Sequence, residues 1–426
     1  MNHWEHVHYN EATVVDLHSH PSLKASLFHR NLSIDNKRKF LMKLLGRAFW
    51  PATTRTDFPK LEQGGVDTLL STVYIPEQGW LNDLPIMNAL KYIKPGGWKK
   101  LFVPSYYDAT MNSFDEMELQ ITQYAEAQKN PNSAFKRPVT LVKNVQELDQ
   151  AISDESIAII HSLEGAHSLQ GDECGKIMNN PSEISSAGRR EVLKNLEDMH
   201  ERGVAYLTIA HFYPNCCVES PCFPYPEYAL KFAKWRRLMT FWDHTKGLTD
   251  LGEEIVEKML DLGMLIDITH LTPPARARVF EIVESHGKTE CVFASHLGVQ
   301  GVNNDPLNLC DWELRWLADN GGTLGVIFMN YWLSPIDTKL GMKYIIQTMN
   351  HIHDTAGINT ISIGTDFDGM TDPPDEITDM SELPRLTREL VSLREGGKPR
   401  YSTEDLCKIL GGNALRLLRG GWRGPN

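Results

Sequence analysis

Eight apolar, β-branched runs of strand length recur along the chain: TVVDLH (13–18), VDTLLSTVY (66–74), IAIIHSLE (157–164), VAYLTIAH (204–211), MLIDITH (264–270), CVFASH (291–296), TLGVIFMN (323–330) and TISIGTDFD (360–368). Most are nearly continuous in apolar residues, as parallel strands buried on both faces are. Helical patterns separate them: REVLKNLEDMHERG precedes the fourth, LTDLGEEIVEKMLDLG the fifth, PPARARVFEIVESHG the sixth, CDWELRWLADNGG the seventh and LGMKYIIQTMNHIHDTAG the eighth. Several stop at Gly, the usual helix terminator. Strand and helix alternating eight times predicts an α/β fold, a (β/α)8 TIM barrel.

The 426 residues exceed what a plain barrel needs. The excess falls after the first and second strands, in a basic helical segment from Leu23 to Gln63 and a longer stretch from Ile75 to Ser156. Both read as helical insertions decorating one domain that spans residues 1–426. In the second, Ser113 and Glu116 have the spacing of a capping box. The basic run from Lys37 to Lys43 and the KPGGWKK turn read as solvated surface. A chain that is 41% hydrophobic and 23% charged builds a sizeable core and is not globally disordered. Its net charge of -12 argues against a nucleic-acid partner. MNHWEHVHYNEAT has no basic region leading into an apolar one, and no run approaches the roughly 18 apolar residues of a membrane span. The expected location is the cytoplasm, with no membrane partner. Seven cysteines, an odd number, fit a reducing compartment better than a disulfide framework. His3, His6 and His8 read most simply as a polar tail.

Six of the eight runs finish in a residue that can bind a metal or move a proton: His18 with His20, Glu164, His211, His270, His296, and Asp366 with Asp368. His18 and His20, two apart on a strand, point to the same side and could grip one ion together. The C-terminal mouth of such a barrel is where catalytic residues gather. Taken singly, each reads as well as a satisfied core histidine or a capping aspartate; their repeated landing at one register points to a metal site. Imidazoles and carboxylates are the ligand set of Zn²⁺ and similar divalent ions, and more than four of them imply two ions. Glu164, the acid at a strand end in mid-chain, could bridge them. Two ions about 3.5–4 Å apart share a water, lower its pKa and present hydroxide to a carbonyl or phosphoryl group. Hydrolysis is the expected chemistry.

TDFPKLEQGGVDTLLSTVYIPE, HSLEGAH, YLTIAH, GLTDLGEEIVEKMLDLGMLIDITH, FASH, GTDFDGM and STEDLCKILGGNALRLL together resemble the membrane (renal) dipeptidase family, peptidase family M19 of the amidohydrolase superfamily. The blocks run from the first strand almost to the C-terminus. The resemblance implies a barrel with two Zn²⁺ or other divalent ions that cleaves dipeptides, often with a D-residue on the C-terminal side. By motif match, His18 and His20 would hold the first ion, Glu164 would bridge, and His270 and His296 would hold the second. His211 would contact the substrate and its developing oxyanion, and Asp366 would be the acid/base. Related barrels often dimerise, so a homodimer is a further expectation.

Two positions depart from that pattern. The family's first motif is His-x-Asp, whereas this chain has His18-x-His20, which leaves the site one unit more positive and its bridging water more acidic. The family's arginine for the dipeptide carboxylate is matched in spacing by Leu307. Leucine cannot replace a charged fork, so either another cation serves or the substrate lacks that carboxylate. Arg276 and Arg278 are candidates, against the reading of a solvated helix face. The loss favours a second reading, an amidohydrolase acting on another small amide, a lactone or an ester; a non-catalytic metal-binding barrel is a third. Cys216, Cys217 and Cys222 follow His211 as a soft metal site, a redox-sensitive rim or simply buried thiols, their spacing matching no standard zinc pattern.

Overall fold

The computed structural model describes residues 2–36, 54–77, 105–130, 135–174, 184–222, 243–334, 341–369 and 373–425. Its central sheet is built from strands β1 (Val14–Ser19), β2 (Val66–Tyr74), β3 (Val139–Val142), β4 (Ile157–Glu164), β5 (Tyr206–Thr208), β6 (Leu265–Asp267), β7 (Val292–Leu297), β8 (Leu324–Val326) and β9 (Ile361–Ile363). All pairings within it are parallel. β2 pairs with β1 and β4, β4 to β9 follow in order, and Asp16 opposite Ile363 joins β9 to β1. The sheet therefore closes on eight strands, the expected (β/α)8 barrel. β3 is the addition. It pairs with the first half of β4, Val139 opposite Ile157 to Val142 opposite Ile160, while β5 takes the end of β4 at Leu163 and Glu164. A four-residue strand with one exposed position gave no apolar run to find.

The strands of β1 and β4 to β9 are buried throughout, as the unbroken apolar runs required. Alternation still sorts their faces: on β1, Asp16 and His18 lie on one side and Val15 and Leu17 on the other. The inward side is polar and hydrogen-bonded, with Thr72 of β2 contacting Ser162 of β4 at 2.9 Å and Tyr206 of β5 at 3.1 Å.

Four of the apolar runs overshoot their strands. β5, β6, β8 and β9 end at Thr208, Asp267, Val326 and Ile363, three to five residues before the runs do. Beyond those ends the chain turns inward, and His270, Asp366 and Asp368 adopt left-handed backbone, φ 64°, 55° and 66°. Non-glycine residues in that region cluster where geometry serves function.

Helices lie between the strands as their patterns predicted. Asp250–Leu262 starts at Thr249, whose side chain accepts from the Gly252 N–H, and stops at left-handed Gly263; Pro273–His286 stops at left-handed Gly287. The capping box at Ser113 and Glu116 does not form. Ser105 caps the helix Tyr106–Gln128 by accepting from the Asp108 N–H, and Ser113, two turns on, donates to the Ala109 carbonyl. Nor is the N-terminus a loose tail: buried His8 is fixed between Thr387 Oγ1 at 2.7 Å and the Gly64 carbonyl at 2.8 Å. The basic run from Lys37 to Lys43 and the KPGGWKK turn lie outside the described residues. Among those described, no helix is long and apolar enough to cross a membrane.

Candidate metal centre

Seven side chains from the strand ends meet at one mouth of the barrel around the carboxylate of Glu164, the last residue of β4. Its Oε1 lies 3.4 Å from His18 Nε2, 3.4 Å from His296 Nε2 and 3.5 Å from His270 Nε2. Its Oε2 lies 3.4 Å from His20 Nε2 and 3.5 Å from His211 Nε2. Asp366 Oδ1 stands 3.2 Å from His20 Nε2 and 3.9 Å from His18 Nε2. His20 lies one residue beyond the end of β1, yet it meets His18 as expected, with their Nε2 atoms 3.0 Å apart. All seven are at most 8% exposed.

These separations fit a divalent ion. Ligands about 2.0–2.1 Å from a tetrahedral ion stand roughly 3.3–3.4 Å from one another. Glu164 Oε1 is buried with no hydrogen-bond partner in the protein, a costly state unless something positive meets it. Three groups of donors lie close enough to share an ion: His18, His20 and Glu164; His18, His296 and Asp366; and Glu164, His211 and His270. The first coincides with the expected first-ion set. The last joins His270 to His211, where the sequence reading joined His270 to His296.

Hydroxyl groups stand behind two of the imidazoles. Tyr206 donates its hydroxyl hydrogen to the Leu17 carbonyl at 3.0 Å, so its oxygen accepts from His18 Nδ1 at 2.7 Å and leaves Nε2 bare. Ser295 donates to Asp267 Oδ2 at 2.6 Å and accepts from His296 Nδ1 at 2.7 Å, with the same result. Burial and the neighbouring imidazoles push the pKa of His18 and His296 well below the ordinary value, and burial lowers His270 to about 4. Neutral rings with bare nitrogens are the form a metal takes. At His20, burial is outweighed by the Asp366 hydrogen bond and the charges of Glu164 and Asp366, and its pKa rises. Burial raises Glu164 to about 7.

Sequence reasoning missed the supporting acids. Asp16 accepts from the Thr365 N–H at 2.8 Å and hydroxyl at 2.7 Å, tying β1 to the turn that carries Asp366. Asp267 collects Thr208, Thr269 and Ser295. Glu77, three residues beyond β2 in YIPE, accepts from His211 Nδ1 at 2.9 Å, the Phe212 N–H at 3.0 Å and Tyr74. Position was the available signal for all three: each lies within three residues of a strand end or a mouth residue.

Other candidates are engaged elsewhere. Asp368 is engaged by groups outside the cluster, its Oδ2 accepting from the Arg55 and Thr56 N–H groups at 2.8 and 2.9 Å, with Lys24 beside it. Arg276 is not on a solvated face: it is fully buried, forks onto Glu313 at 2.6 and 3.2 Å and donates to the Leu271, Pro306 and Leu307 carbonyls. Arg278 is exposed, paired with Glu253 and Glu281. Leu307 is fully buried. Cys216, Cys217 and Cys222 are also fully buried; a hydrogen bond donated to Cys216, with burial, raises the Cys217 thiol, and burial raises Cys222 to about 12. Cys217 and Cys222 are thus held as thiols in the loop beside the mouth, poor metal ligands and poor nucleophiles.

Comparison with known proteins agrees with this architecture. The family model described as membrane dipeptidase (peptidase family M19) matches residues 8–180 and 184–420. Dipeptidase 3 of Rattus norvegicus is 28% identical over 275 residues, 65% of this chain and 47% of that protein. An uncharacterized protein in the pqqA 5' region of Klebsiella pneumoniae is 32% identical over 184 residues, 42% of this chain and 64% of that protein. The chain thus spans about half the length of the rat relative. A metallo peptidase from Rhodobacter sphaeroides, solved with a phosphinate mimic of the dipeptide L-Ala-D-Ala, superposes with a TM-score of 0.67 at 17% identity, over 96% of this chain and 99% of that one. At that identity the likeness bears on the fold.

Proposed function

Because the chain belongs to the membrane dipeptidase family, peptidase family M19, we propose that it is a metal-dependent dipeptidase with a two-ion centre at the barrel mouth. The observation that carries the reading is the convergence of five imidazole Nε2 atoms on the one buried carboxylate of Glu164. His18 and His20 would hold one ion, His270 and His296 the other, and Glu164 would bridge them. Zn²⁺ suits this ligand set best. Bound there, the ions would polarise the scissile carbonyl and lower the pKa of a shared water.

The protein's own groups then handle the protons. Asp366 Oδ1, 3.2 Å from His20 Nε2 and 8% exposed, stands where it can take a proton from the attacking water and return it to the leaving amine. His211 Nε2, across Glu164 from His18, would donate to the carbonyl oxygen as charge develops on it. The buried mouth keeps bulk water from competing for these bonds.

One observation favours a second reading, in which the substrate carries no free carboxylate on its leaving side: another small amide, a lactone or an ester. By spacing after His296, Leu307 would stand at the family arginine's place, and Arg276 and Arg278 are committed to Glu313, Glu253 and Glu281. Zinc-reconstituted protein should be assayed on L-Ala-L-Ala, L-Ala-D-Ala and the same dipeptides amidated at the C-terminus. Faster cleavage of the free acids is the result expected of a dipeptidase. Equal cleavage of acid and amide would support the second reading, and bound metal with no turnover on amides, lactones or esters would leave a binding barrel.

A further inference from the structure

We propose that Trp332 is a substrate-binding residue whose indole Nε1–H meets an oxygen on the leaving side of the substrate, the terminal carboxylate of a dipeptide or the carbonyl that replaces it in an amide. The inference rests on the dipeptidase reading and deepens it, naming a donor where the arginine expected for that carboxylate is missing.

Trp332 belongs to the short helix Asn330–Leu333, which follows β8 at the mouth. Its ring meets those of His270 and His296 edge-on, with centroids 5.4 and 5.8 Å apart, so it forms part of the wall around the cluster. The residue is 2% exposed, and its Nε1 is buried with no hydrogen-bond partner in the protein. An indole nitrogen can only donate. A buried Trp ordinarily finds an acceptor, because an unmet donor has given up its bond to water for nothing. Phe would line the same wall without that cost. Trp422, just past the helix Asn413–Gly421, is the other described indole in this state; of the two, Trp332 borders the cluster.

The backbone behind the ring is fixed. The Trp332 carbonyl accepts from Asn303 Nδ2 at 2.9 Å and from Asn308 Nδ2 at 3.2 Å. Asn308 in turn accepts from the N–H of Gly298, two residues beyond His296, at 3.1 Å. Asn303 and Asn308 bracket Leu307, the position that by spacing after His296 would carry the family's arginine. Trp332 is therefore stitched to the stretch where a cation for the carboxylate was expected.

The chemistry of a dipeptide selects the partner. Its free amine, when charged, only donates, and its scissile carbonyl is assigned to the ions and His211. The terminal carboxylate is the acceptor that remains, and amidation leaves one of its oxygens as a carbonyl. One neutral N–H serves either form, and a carboxylate gains more from the bond than an amide does.

The test pairs a structure with kinetics. In a crystal of zinc-loaded wild-type protein with a phosphinate analogue of L-Ala-L-Ala, Nε1 is expected about 2.7–3.2 Å from a leaving-side carboxylate oxygen. Trp332→Phe keeps a ring against the two imidazoles and removes the donor. Its kcat/KM should fall about 10- to 100-fold on L-Ala-L-Ala, the range of a bond to a charged group, and about 2- to 10-fold on the C-terminal amide. L-Ala ethylamide lacks that oxygen, and its turnover, or its strength as a competitive inhibitor, should stay within about 2-fold of wild type. An analogue bound with no oxygen in reach of Nε1 would overturn the inference. So would an equal loss on all three compounds, which would make the ring a packing element, or no loss on any. If the Phe variant does not fold, the analogue complex decides alone. If wild-type protein cleaves no amide, the dipeptidase reading fails, and the complex still decides whether Trp332 donates to the bound carboxylate; an analogue that does not bind counts against both.

Discussion

Asp366→Asn is expected to lower kcat by about 10²- to 10⁴-fold, the range of a lost general acid/base, while the protein keeps its full complement of metal. Asn has the shape of Asp but neither takes up the water's proton nor delivers one to the leaving amine. The backbone that aims residue 366 is independent of its charge: its N–H donates to the His18 carbonyl at 2.8 Å, and Asp16 holds neighbouring Thr365. Left-handed φ at this position suits Asn as well as Asp. Kinetics and metal analysis on the same preparation check the prediction. Loss of metal in parallel with activity would make Asp366 chiefly a ligand, in keeping with its place beside His18 and His296.

Glu164→Gln should have opposite effects on the metal-free and metal-loaded protein. Burial raises this carboxyl from about 4.5 to about 7 in the folded chain. Below pH 4.5 both folded and unfolded forms hold the proton, and the group costs nothing. As pH rises, the unfolded form releases the proton first, and the cost grows until it is complete above about pH 7, reaching up to about 3 kcal/mol. Gln carries no such cost. Metal-free Glu164→Gln is therefore expected to melt higher than metal-free wild type at about pH 8, with the gap closing toward about pH 5. Zn²⁺ should raise the Tm of wild type and scarcely move the variant, because the bridging anion is gone, and hydrolysis should fall to background. A metal-free variant less stable in that alkaline range, or one that binds ions as wild type does, would count against this role of Glu164.

How much of this was legible in the sequence depended on how local the cause was. β2 and β4 were readable to the residue because turn-formers bound them, GG before Val66 and SDES before Ile157. β5, β6, β8 and β9 read too long because Ile209, Ala210, Ile268 and Ile327 are as buried beyond the strand end as within it. Burial, which the sequence reports, outlasts pairing, which it does not. The helix start went to the wrong serine because Ser105 and Ser113 both precede an acid by three residues, and tertiary packing chose between them.

The mouth residues were legible because strand polarity alone brings the ends of parallel strands together. Their supports were not: Glu77 reaches His211 across 134 positions and Tyr206 reaches His18 across 188. Spacing has no bearing on such pairs. His8 escaped for the same reason, its partners Gly64 and Thr387 being remote in sequence.

The measurement that bears most directly on the two-ion centre is a crystal structure of zinc-loaded protein, with anomalous data collected above and below the zinc edge. Two zinc peaks are expected about 3.5–4 Å apart, each about 2.0–2.2 Å from a different oxygen of Glu164, with His18 and His20 on one and His270 and His296 on the other. A single peak, or ions bound away from Glu164, would contradict it.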